Sequence, residues 1–118
     1  VPIFATDERN PGNFGFDEWL SVSNFFDIDP VMSHNGEFVE IKGESSHIVV
    51  GKALQYIEKQ KDSGKPLFVV IWFGSPHAPW RAADNDKKEF VALDENVQNH
   101  YSELVSMDQS IGARYFVL

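Results

Sequence analysis

The chain has 118 residues, 42% hydrophobic and 14% aromatic, which fits one domain or part of a larger one with a sizeable core. Its formal net charge of −8 and pI near 4.8 argue against nucleic acid and against an anionic membrane surface, since both need Lys and Arg in excess. With no cysteine, disulfides, thiolate nucleophiles and Cys-ligated zinc are excluded, and the redox compartment cannot be read.

No apolar run nears the roughly 20 residues of a membrane-spanning helix. No export signal is visible, because Val1-Pro2-Ile3-Phe4 soon gives way to Thr6-Asp7-Glu8-Arg9. A chain that begins with Val and not Met is expected to have its natural start upstream.

In chain order, residues 1–44 read as loop-rich. Asn10-Pro11-Gly12-Asn13 is a turn signal. Asp27 to Pro30 and His34 to Glu37 look irregular, while Phe38 to Lys42 alternates apolar with polar, as in a short edge strand or hairpin arm. Ile48, Val49, Ala53, Leu54 and Ile57 then predict a helix over 45–61, with Ser45 and Ser46 as candidate N-caps and Ser63 to Pro66 as its stop. Leu67 to Phe73 is continuously apolar and rich in β-branched and aromatic residues, which predicts a strand buried on both faces. Such strands belong to parallel sheets covered by helices, so helix followed by strand implies an α/β fold.

A last helix is predicted over 95–112, with Val97, Tyr101, Leu104, Val105, Asp108 and Ile111 on one face. A carboxylate on that face needs a partner or water. Asp108 is therefore expected at the edge of the stripe, with anchoring of a neighbouring loop as the alternative.

The chemistry lies in 74–80, Gly74-Ser75-Pro76-His77-Ala78-Pro79-Trp80. In open α/β sheets, ligands bind beyond the carboxyl ends of strands. Pro76 and Pro79 restrict the backbone around His77, and an imidazole is suited to protonating a leaving oxygen or to bonding an oxyanion. The plainer alternative is a loop leaving a sheet, its imidazole bonded to a backbone carbonyl. Trp80 and Arg81 either line a substrate cleft or are a packing Trp and a solvent-facing Arg. His100 reads as a packing residue, and His34 and His47 as exposed. His77, His100 and Asp108 could compose a metal site, but their spacing matches no ligand motif.

Three segments in order resemble the sulfatase family of the alkaline-phosphatase superfamily: Gly15-Phe16-Asp17-Glu18-Trp19, Trp72 to Pro79, and Tyr101 through Met107-Asp108-Gln109-Ser110-Ile111-Gly112. The resemblance implies an incomplete sulfatase-like α/β domain, part of a mostly parallel sheet flanked by helices. It matches His77 to the histidine that contacts the sulfate group and is a candidate proton donor to the leaving alcohol. For Asp108 it supplies no catalytic role. Ca2+ or Mg2+ and a formylglycine nucleophile are expected in a full-length member. Its expected partners are a sulfated small molecule or polysaccharide, and its expected compartment is outside the cytoplasm.

The family's Cys/Ser-x-Pro-x-Arg motif, its early Asp-Asp ligands, its later Asp-Asn-Gly ligands and its active-site lysine have no match here. Asp84-Asn85-Asp86 precedes the last helix and so lies in the wrong place. After Gly112 the sequence leaves the family pattern. The 118 residues alone are therefore expected to be inert, since His77 could serve only one of the tasks of sulfate ester cleavage. Two other readings stay open: a phosphoesterase or phosphonate hydrolase of the same superfamily, and a non-catalytic remnant or interaction module.

Overall fold

The computed structural model describes residues 4–113. The opening residues 1–3 and the closing 114–118, where the sequence leaves the family pattern, lie outside the described residues.

The turn signal near residue 10 closes as a 3₁₀ turn, Pro11–Phe14. Buried Asn10 caps it by accepting from the Asn13 amide at 3.1 Å, and donates to the Ala5 and Asp7 carbonyls. Three short strands follow: β1 (Leu20–Ser21), β2 (Val31–His34) and β3 (Glu37–Glu40), antiparallel and in that order across the sheet. Val31 stands opposite Glu40 and His34 opposite Glu37.

The stretch from His34 to Glu37, expected to be irregular, is a tight hairpin. Asn35 and Gly36 both take positive φ (52° and 94°), the conformation that lets a two-residue turn follow the twist of its strands. Asn35 also fastens β1, since its side chain accepts from the Trp19 amide at 2.8 Å and its own amide donates to the Trp19 carbonyl at 3.0 Å.

Helix α1 (Ser45–Gln60) is capped by Glu44, and not by Ser45 or Ser46. The Glu44 carboxylate accepts from the amides of Ser46 and His47 at 2.9 and 3.3 Å. It also takes the hydroxyls of Ser45 and Ser46 at 3.1 and 3.0 Å. A carboxylate satisfies more donors than a serine oxygen, and its charge opposes the positive end of the helix dipole. Helix α2 (Glu95–Gly112) is capped by Asp94.

Two expectations fail here, for one reason. Residues 67–73 have no regular secondary structure and belong to no strand ladder, and Phe68 and Trp72 are 79% and 88% exposed. Among the described residues the sheet is wholly antiparallel and lies elsewhere, so no neighbour meets this segment's backbone. Likewise α2 buries Ser102, Glu103, Ser106 and Ser110, while Tyr101 and Ile111 on the expected face are exposed; Asp108, expected at the edge of that face, is exposed too. Apolar spacing marks the face a helix offers to a sheet, and no sheet layer covers that face among the described residues.

What α2 does pack against is α1, with small side chains between them. Ser110 lies 2.9 Å from the His47 ring and bonds back to the Ser106 carbonyl at 2.7 Å. The described residues do not form the sizeable core suggested by composition, and their arrangement is only 19 Å thick along its shortest axis. Among them the buried apolar side chains are Met32, Ile48, Val50 and Ala82. No helix of the described residues is long and apolar enough to cross a membrane.

Gly36→Ala should destabilise the hairpin by about 1–3 kcal/mol, the usual toll of a side chain in the left-handed region. The added Cβ would also sit 2.5 Å from that of Ala5. Chemical denaturation of the protein containing this segment checks it: an unchanged midpoint would mean that the turn is not specified by its glycine.

Candidate functional site

The 74–80 loop is built around contacts to its own backbone. The peptide bonds before Pro76 and Pro79 are both cis. The His77 amide donates to the Gly74 carbonyl at 3.0 Å, and the Trp80 indole N–H returns to the Pro76 carbonyl at 2.9 Å. The His77 Nδ1 meets the Ala78 carbonyl. A carbonyl only accepts, so Nδ1 carries a proton, and Nε2 is the nitrogen that gains or gives one. The ring itself is exposed.

Residues between β1 and β2 support this loop. Phe25 meets the His77 ring edge-on at 5.4 Å between centroids. Gly74 passes so close that a Cβ there would lie 2.4 Å from the Phe25 ring, which is why no larger residue fits. The Arg81 guanidinium lies over Phe26, 5.4 Å from the ring centre, and reaches Asp27 at 3.5 Å. Trp80 stacks on His100 at 4.6 Å. Val22, Phe25, Ser45, Ser46, Val49, Trp72 and Gly74 line a hollow of about 30 Å³ behind the loop, with room for about one water.

Helix α2 holds the loop from beneath. Glu103, 3% exposed, accepts the Arg81 amide at 2.5 Å on one carboxylate oxygen and the Ser75 hydroxyl at 3.3 Å on the other. One turn earlier, the Asn99 side chain accepts the Ala82 amide at 3.2 Å. Burial is the main influence on Glu103 and pushes its carboxyl above the usual range. The two donors pull the other way, nearby Glu44 adds to the rise and His100 opposes it.

Thus His77, Trp80 and Arg81 share one loop, and Pro76 and Pro79 lie within it. Asp108 is exposed; the carboxylate that bonds the loop is Glu103, five residues earlier. Glu103 escaped notice because its partners stand 22 and 28 residues away in sequence. The only local trace is a pair of polar residues, Asn99 and Glu103, spaced one turn apart on a helix. His77, His100 and Asp108 form no metal cluster, and among the described residues no three His, Asp or Glu side chains converge as ligands. The residues present thus do not fit the family's divalent cation. The Cys/Ser-x-Pro-x-Arg pattern that formylglycine requires is likewise absent from the 118 residues.

The sulfatase family model matches residues 4–114, and the chain belongs to the sulfatase family. The uncharacterized sulfatase YdeN of Escherichia coli (strain K12) is 26% identical over 113 residues, covering 92% of this chain and 20% of YdeN. Among solved structures, Ps i-CgsB in complex with k-i-k-neocarrahexaose superposes with a TM-score of 0.78 at 20% identity, over 91% of this chain and 29% of that one. Ps i-CgsB on its own gives 0.77 at 19% identity over the same shares. The chain therefore spans about a fifth of the curated relative and under a third of the solved chains. The likeness in structure identifies this arrangement as part of their α/β fold, although a parallel sheet is not found among the described residues.

Gly74→Ala should displace the loop and lower activity of the full-length protein, and Phe25→Ala in the same chain should restore part of it; no recovery would mean that Phe25 is not the obstacle. A second expectation concerns pH. Because Glu103 binds its proton more tightly folded than unfolded, its contribution to stability is complete below the ordinary carboxylate range and is lost as pH rises through its raised value. Denaturation between about pH 4 and about pH 7 should show that decline in the parent and not in Glu103→Gln.

Proposed function

We propose that this chain is the part of a sulfate ester hydrolase that presents its sulfate-contacting histidine, His77. The observation that carries the reading is the His77 ring itself. Its Nδ1 proton is committed to the Ala78 carbonyl, which leaves Nε2 as the nitrogen that takes up or gives a proton, on an exposed, supported loop.

In the imidazolium state Nε2–H donates to a sulfate oxygen or to the bridging oxygen of the ester. As the S–O bond breaks, that proton passes to the departing alkoxide and the ring is left neutral. Membership of the sulfatase family supports sulfate as the anion. The bound k-i-k-neocarrahexaose in the similar Ps i-CgsB supports a saccharide as the alcohol. Trp80 and Arg81, at the trailing end of the loop, are the residues proposed to line that side of the substrate. The nucleophile, the cation and the groups that neutralise the other sulfate oxygens match no motif in these 118 residues, so the segment alone is proposed to be inert.

The test uses the full-length protein that carries this segment and two substrates: a sulfate ester of an alkyl alcohol, and 4-nitrophenyl sulfate, whose leaving group needs no proton. His77→Ala should lower kcat on the alkyl ester by about 10²–10⁴-fold, the range of one general acid, and on the nitrophenyl ester by much less. Equal losses on both would remove the proton-donor role. Undiminished rates on both would take His77 out of the site.

A further inference from the structure

We propose that Glu103 is a positioning residue: through the two ends of the 75–81 loop it sets where His77 stands. The proposal rests on the reading of His77 as the sulfate-contacting group. Glu103 does not touch the imidazole. It accepts from Ser75 Oγ, two residues before His77, and from the backbone N–H of Arg81, four residues after it. The loop between these points is tied internally, by His77 N–H to the Gly74 carbonyl and by the Trp80 indole to the Pro76 carbonyl. A loop stiff within itself and held by both ends moves only as α2 moves. A single carboxylate thereby fixes a ring that is itself exposed.

Packing alone does not account for a carboxylate at this point. Glu103 and Ser75 are both buried, and the donor from Arg81 is its amide; the guanidinium is turned to Asp27. Among the described residues Glu103 makes no salt bridge, and a buried ionisable group without one carries a desolvation penalty that a Met or Leu of similar volume avoids. What the carboxyl supplies and an apolar side chain does not is two polar atoms spaced to bridge the loop's ends. Gln reproduces that bridge, its carbonyl accepting from the Arg81 amide and its amide donating to the Ser75 hydroxyl, which also accepts. Met fills the space and bridges nothing.

The experiment is a double-mutant cycle in the full-length protein, with kcat and KM measured on the alkyl sulfate ester for Glu103→Met, Glu103→Gln, His77→Ala and His77→Ala/Glu103→Met. Loss of position should lower kcat in Glu103→Met by roughly tenfold to a hundredfold, with KM changed less. Glu103→Gln should return close to the parent. In the His77→Ala background Glu103→Met should cause no further loss, because the group it positions is gone. Independent, multiplicative losses would overturn the proposal and leave the reading of His77 standing, as would a Glu103→Gln no better than Glu103→Met. An undiminished His77→Ala would take down that reading and the proposal with it. Should Glu103→Met fail to fold, Ser75→Ala removes one end of the bridge and completes the same cycle, with the same two outcomes deciding.

Discussion

The arrangement depends on one buried carboxylate. Glu103 lies on the inner face of α2, where its two oxygens meet the loop that follows the apolar segment. Around it the interior is polar to an unusual degree, with Ser45, Ser46, Ser75, Ser102, Ser106 and Ser110 all buried, and Glu44 a second buried carboxylate. Such an interior holds together only if each polar atom finds a partner, because an orphaned one costs about 1–3 kcal/mol. Among the described residues no buried side-chain nitrogen or oxygen lacks a hydrogen bond. Stability in this part of the chain is thus a matter of hydrogen-bond accounting more than of apolar bulk.

That choice suits the loop it supports. Apolar contacts hold a segment near a surface without fixing its rotation. Hydrogen bonds at both ends of a seven-residue loop, with Phe25 against the ring and Phe26 beneath Arg81, constrain direction as well. The bond from Nδ1 to the Ala78 carbonyl adds the last constraint and selects which ring nitrogen exchanges protons.

How much of this was legible from the amino acids depends on how far each pattern reaches. The α1 and α2 stretches could be read because apolar spacing and polar ends are local signals, as was the loop with its two prolines. The hairpin turn was present in plain form as Asn35-Gly36, and was passed over because its flanking residues are polar. Leu67 to Phe73 carries the composition of a buried strand, yet burial requires neighbours, and no strand lies beside it among the described residues. The face that α2 buries was misread for the same reason: residue spacing tells which side is apolar, and only the partner decides which side is covered. Glu103 was beyond reach, since a helix position gives no hint that a loop 22 residues upstream will close over it.

The two fastenings of the loop differ in what they ask of the chain. At the leading end the donor is a hydroxyl, so only a few residue types can take the place of Ser75. At the trailing end the donor is the main-chain amide of Arg81, which every residue except proline possesses. A lineage could therefore exchange the side chain at 81 freely, trading charge for bulk or reach and giving up only an exposed contact with Asp27 and Phe26. The histidine would keep its place throughout. Variation in the side chain at 81 is in this way separated from the placement of the His77 ring, within a loop of seven residues.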